Sequence, residues 1–97
     1  MAQIAFTKAP KEWKTAEEVI SEALDDTFTF DGSKEYQIEA RGLTPVYLAE
    51  PAEEPEDSYL GVELTNDAKK IIRYKKGTYD LYLRGDDAYI NVTVIGE

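Results

Sequence analysis

The sequence predicts a mainly β protein, a small antiparallel β-sandwich or barrel of about seven strands with one short N-terminal helix. Three observations predict it. From Asp26 onward apolar residues recur with a period of two, the mark of strands with one buried face. Gly, Asn, Asp and Pro interrupt that pattern at short intervals, as turns do. Only before Asp26 does the period become helical, in "TAEEVISEAL".

The elements follow in order. Residues 1–14, "MAQIAFTKAPKEWK", are mixed and contain Pro10, so they are expected as an N-terminal arm with room for a short strand at Ile4–Thr7. Residues 15–97 are expected as a single β-rich domain with its helix at about 15–24. Thr15 and Glu18 have the spacing of a capping box. Trp13, Ala16, Ile20, Ala23 and Leu24 fall at helical spacing and predict one apolar stripe. "DTFTFDG" alternates and ends in an Asp31-Gly32 turn, which predicts the first strand of the domain. "EYQIEARG" places Tyr36, Ile38 and Ala40 on one face. "PVYLAE" opens on Pro45, which suits a strand start. "YLGVEL" groups Leu60, Val62 and Leu64, and "KIIRYKKG" follows the turn chemistry of "NDAKK". "TYDLYLRGDD" points Tyr79, Leu81 and Leu83 inward and Asp80, Tyr82 and Arg84 outward. "AYINVTVIG" ends the chain with Ala88, Ile90, Val92 and Val94 on one face.

Composition narrows the function. Twenty acids against 11 bases give a net charge of −9. Nucleic-acid binding needs Lys and Arg to replace counterions, so no nucleic-acid partner is expected. Docking on anionic lipid is disfavoured for the same reason. No apolar run reaches the roughly 20 residues of a membrane span, and no signal-peptide run opens the chain, so no membrane role is expected. With no cysteine and no histidine, thiolate and imidazole chemistry are excluded. No Gly-rich phosphate loop occurs. Only carboxylate chemistry is left, and a domain this small has little room for a sugar-sized cleft between two carboxylates. The chain is therefore expected to be no enzyme, with no cofactor and no metal site. Its acidic clusters lack the spaced D-x-D-x-D-G pattern of a calcium loop.

Three groups of side chains are candidates for contact. Tyrosine offers large area at low entropy cost and is enriched at interfaces. Of seven tyrosines, Tyr47, Tyr59, Tyr82 and Tyr89 are expected on outward strand faces, with Tyr82 and Tyr89 close together on adjacent final strands. They would form a docking face or a sugar-stacking face; a half-buried tyrosine that simply favours a strand reads the same way. Trp13 is either a partner anchor or a core residue that caps the helix stripe. The third group is electrostatic. Glu53, Glu54, Glu56 and Asp57 crowd a loop bounded by Pro51 and Pro55, and Lys69, Lys70, Arg73, Lys75 and Lys76 cluster downstream. The acidic loop of one copy would suit the basic cluster of the next. Equally, the acids keep a rim loop in water, and the lysines block unwanted sheet pairing.

From Tyr36 the order of elements carries a resemblance. "YQIEARGLTPVYLAE", a loop with prolines, "GVELTNDAKKIIRYKKG" and the closing "LYLR…AYINVTV" resemble small accessory virion structural proteins of tailed bacteriophages over residues 36–95. The resemblance implies a β-sandwich or barrel module, of the decoration, head–tail or fibre type. Val46, Tyr47, Leu48, Leu81, Tyr82 and Leu83 would belong to its strand framework. It further implies a homo-oligomer bound to other virion proteins, such as the major capsid protein. Such a protein is found in the virion, and in the host cytoplasm during assembly. The expected function is then capsid decoration or stabilisation. The alternatives are a carbohydrate- or receptor-binding module of a tail or fibre, and an unrelated cytoplasmic β-domain.

Overall fold

The computed structural model describes residues 2–42, 44–50, 62–64 and 71–96, with the backbone alone for Ala2, Val62–Leu64 and Gly96. Tyr59, Glu53, Glu54, Glu56, Asp57, Lys69 and Lys70 lie outside the described residues. Among the described residues, eight strands and one helix follow in the order β1 (Ala2–Lys8), β2 (Lys14–Thr15), α1 (Ala16–Leu24), β3 (Glu35–Arg41), β4 (Val46–Ala49), β5 (Val62–Leu64), β6 (Ile71–Tyr74), β7 (Tyr82–Gly85) and β8 (Tyr89–Gly96). They form two antiparallel sheets, β1-β8-β3-β6 and β2-β7-β4-β5. The expected β-rich fold is present, and it is a sandwich.

The period-two reading explains the core. Leu81 and Leu83 are buried, as are Ala88 just ahead of the last strand and Ile90 and Val92 within it; Ile38 of the first sheet and Val46 and Leu48 of the second complete this core. Burying each large aliphatic side chain contributes about 1.5–3 kcal/mol relative to exposure. Two details differ from the expected pattern. Tyr79 was expected inward and is 51% exposed, because a bend at residues 78–79 breaks the alternation before Leu81 resumes it. Tyr82 and Tyr89 do not neighbour each other. β7 and β8 lie in different sheets, so the two rings stand on opposite sides of the sandwich.

The N-terminal segment is also arranged differently. Instead of extending as an arm, Ala2–Lys8 runs along β8 as an edge strand, with Ile4 as the extra residue of a bulge. The short strand expected at Ile4–Thr7 lies within it; the bulge breaks strict alternation, which hides the strand's full length and its pairing. The chain then crosses to the second sheet and pairs with β7 through Lys14 and Thr15. Hydrogen bonds continue through the crossing: Ala9 N donates to Ala88 O at 2.8 Å, and Gly85 N to Pro10 O at 2.7 Å. Ala16 N donates to Leu81 O at 2.8 Å beyond it. β1–β2 and β7–β8 are thus two sides of one ribbon, bent where it changes sheets.

Residue size permits the bend. A Cβ placed on Gly85 would meet the Cβ atoms of Ala88 at 3.0 Å and Ala9 at 3.1 Å, and the Pro45 carbonyl oxygen at 3.4 Å. Asp87 turns the corner with a φ of 56°, a conformation Asp tolerates better than most residues.

The helix forms where expected, and Thr15 Oγ1 accepts from Glu18 N at 3.2 Å as its N-cap. Its buried stripe is Ala16, Val19 and Ile20. Ala23 and Leu24, expected on that stripe, are exposed, because the helix ends at the left-handed Asp25 and its last turn overhangs the core. The strand expected in "DTFTFDG" is absent. Helix side chains hold that backbone instead: Ser21 Oγ accepts from Phe28 N, and Glu17 Oε2 from Phe30 N, each at 2.8 Å. The alternation still places Phe30 inward, edge-on to Tyr36 at 4.9 Å and Tyr74 at 4.8 Å between ring centroids. Tyr36 Oη accepts from Asp31 N at 2.8 Å. Asp31 in turn accepts from the backbone and hydroxyl of Ser33, which holds its carboxyl below the usual carboxylate range.

Burial, followed by the charges of Glu50, Glu17 and Asp80, pushes the Tyr74 phenol up to about 12. An unfolded tyrosine ionises near 10. Stability from this group is therefore full below pH 10 and falls as pH rises from 10 toward about 12. Denaturant melts across that window should show the decline, and Tyr74→Phe should flatten it. A second prediction concerns the corner. Gly85→Ala should destabilise by about 1–3 kcal/mol, the usual cost of overpacking, read as a lower urea midpoint with unchanged slope.

Candidate functional site

Each sheet carries aromatic side chains on its outer face. In the β2-β7-β4-β5 sheet, Leu48 and Leu83 pair and point inward. Alternation sends their neighbours outward, so Tyr47 and Arg84, which pair directly, share the outer face. β2 brings Trp13 to the other side of Arg84. The Arg84 guanidinium then lies 5.2 Å from the Trp13 ring centroid and 5.3 Å from that of Tyr47. A planar, weakly hydrated guanidinium is suited to such stacking. Tyr82, two residues along β7, stands half-buried on the same face.

Two shallow depressions flank this row. One, of about 310 Å³, is lined by Glu12, Trp13, Lys14, Thr15, Glu18 and Tyr82. The other, of about 90 Å³, is lined by Lys11, Tyr47, Arg84, Gly85 and Asp86. Both mix acids and bases around an aromatic wall. That chemistry suits the side chains of another protein.

The opposite sheet has a different patch. Phe6 and Tyr89 stack with centroids 5.6 Å apart and planes 13° from parallel. They are 52% and 37% exposed. Around them lie Gln3 Nε2, which donates to Asn91 Oδ1 at 2.7 Å, and the Lys8–Asp87 ion pair at 3.4 Å. The sequence does not mark Phe6 as a contact residue, because the bulge at Ile4 breaks the alternation that would set its face.

The expected contact residues therefore separate. Tyr47 and Tyr82 share one face, and Tyr89 belongs to the other. Trp13 is only 4% exposed. It is held within this chain's own fold against Arg84, so it braces a surface and offers no free ring. Its place also differs from the helix stripe, since it sits ahead of β2. In the basic cluster, Arg73 pairs with Glu35 at 2.9 Å and Lys76 with Glu17 at 3.3 Å, while Lys75 is exposed. Two of its bases thus already face acids of the same chain, at exposed or half-exposed positions where a pair contributes about 0–1 kcal/mol.

No family model, curated protein or solved structure matches the chain. Nothing in these comparisons indicates a bacteriophage origin.

Arg84→Met keeps most of the stem and removes the cation between the two rings. It should cost about 1–2 kcal/mol. Trp13, the chain's one tryptophan, should report the change directly as a red-shifted emission in the folded variant.

Proposed function

We propose that the chain is a non-enzymatic binding protein that docks on another protein through the outer face of β2-β7-β4-β5. The observation that carries this reading is the Trp13–Arg84–Tyr47 row with Tyr82 beside it. Arg and Tyr are among the residues that dominate measured interface energies, and Trp13 braces Arg84 from within the fold. Here they stand on paired strands, so little side-chain entropy is lost when a partner arrives. The flanking depressions supply a polar rim of both signs.

In the specific form that the sequence resemblance motivates, the protein decorates or stabilises a bacteriophage capsid. Copies would sit on a repeating lattice of the major capsid protein and present this face to it. A sugar-stacking module is supported less. Tyr89 lies on the opposite sheet from Tyr47 and Tyr82, so these rings form no common platform.

The test is made on particles from the source culture, purified by density gradient. The chain should co-purify in a fixed ratio to the major capsid protein, and stripped particles should rebind it. Tyr82→Ser should weaken rebinding about thirtyfold, as an interface residue worth roughly 2 kcal/mol does, while its melting stays close to wild type. Absence from the particles would remove the capsid form of the reading. Saturable binding on a glycan array would replace it with the carbohydrate module.

A further inference from the structure

Asp31-Gly32 is the one place in the chain where glycine follows Asp or Asn. A bond of this kind is open to a rearrangement that bulkier neighbours hinder. The Gly32 nitrogen attacks the Asp31 side-chain carbon Cγ. A C–N bond forms, a C–O bond breaks, and the oxygen leaves as water. Solvent water then opens the cyclic imide at either carbonyl. One opening restores Asp31. The other leaves isoaspartate, in which the main chain runs through the former side-chain carboxyl, and the net mass is unchanged. Glycine favours the attack because it has no Cβ to crowd the approach.

Nothing on the surface hinders the reaction here. Asp31, Gly32 and Ser33 are exposed, and a Cβ built on Gly32 would meet no atom within 4 Å. Hydrogen bonds hold the bond closed instead. Ring closure requires the Asp31 carboxyl to turn face-on to the Gly32 nitrogen, and the main chain at Asp31 to rotate with it. Both motions are clamped. Asp31 Oδ1 accepts from Ser33 N at 2.9 Å and from Ser33 Oγ at 2.7 Å, which makes an Asx-turn. Asp31 N donates to Tyr36 Oη at 2.8 Å, and Asp31 O accepts from Lys34 N at 3.1 Å. The Tyr36 ring is itself fixed, 3% exposed and edge-on to Phe28 and Phe30. The Ser33 bonds also favour the ionised carboxyl, the poorer electrophile of its two forms.

We infer that Asp31-Gly32 is the chain's site of isoaspartate formation, and that the turn around it keeps the site closed in the folded state. Reaction then proceeds only through local opening of residues 31–36. Isoaspartate adds one carbon to the main chain between Asp31 and Gly32. The Asp31–Tyr36 bond and the seat of Phe30 against the Tyr36 ring cannot both survive that insertion, so the modified turn does not reclose. The site shares no residue with the docking face proposed above, and either reading can fail alone.

The test is prolonged incubation of the purified chain at neutral pH, with isoaspartate read by methyltransferase labelling and by a peptide map that separates isomers of equal mass. The folded wild type should form it at least about tenfold more slowly than the same chain held unfolded in urea, since several hydrogen bonds must open first. Ser33→Ala removes one clamp at an exposed position and should speed formation about fivefold, the worth of one hydrogen bond. Tyr36→Phe keeps the ring, frees Asp31 N, and should act in the same direction. Equal rates in the folded and unfolded wild type, folded variants no faster than wild type, or isoaspartate appearing first at another residue would each overturn the inference.

Discussion

The structure depends on a bend at Gly85, where one ribbon passes from the first sheet to the second. Two chain segments cross there side by side, and their backbones stay hydrogen-bonded through the crossing, Ala9 to Ala88 and Gly85 to Pro10. Both segments must be thin. The space beside Gly85 is filled by the methyl groups of Ala9 and Ala88 and by the Pro45 carbonyl. A larger residue at any of these positions would push the sheets apart, and tightly packed interiors resist such displacement. The ribbon also fixes where the aromatic groups stand. Before the bend it carries Phe6 beside Tyr89. Beyond the bend it carries Trp13 beside Arg84. One constraint thus orients both faces, and places them on opposite sides of the molecule.

How much of this was legible in the sequence depended on the range of the interaction. The alternation of Leu81 with Leu83, and of Ala88, Ile90 and Val92, is a local signal, and the core follows it. The helix announced itself through Thr15 and its apolar spacing. β1 was legible only in part, as room for a short strand at Ile4–Thr7 within an arm, because the bulge at Ile4 breaks its period and Pro10 suggests an arm. The alternation of Phe28 and Phe30 was real, yet it reported burial rather than a strand. Ser21 and Glu17 satisfy that backbone, and their reach across 7 and 13 residues leaves no periodic trace. The sheet assignment of Tyr82 and Tyr89 was the largest difference. "RGDDA" has the residues of a hairpin turn, and a corner between sheets asks for the same ones. Only long-range pairing, Leu83 with Lys14 and Ile90 with Ala40, tells them apart.

The candidate site shows the same division. That Tyr47 and Tyr82 face outward follows from alternation with Leu48 and Leu83. That Trp13 braces Arg84 does not, since their contact spans most of the chain. The exchange of roles matters physically. A tryptophan exposed on a mobile arm would lose entropy on binding. Buried against Arg84, it has already lost that freedom on folding, and the surface it supports meets a partner preformed.

The N-terminal segment is part of the fold and closes it through the bend. Native-state hydrogen exchange tests this most directly. The amides of Ala9, Gly85 and Ala16 should exchange only through global unfolding, with the same free energy as those of the central strands. If Ala9 and Gly85 exchange rapidly while Ile38 and Val92 remain protected, residues 2–15 are a detachable arm and no ribbon closes the fold.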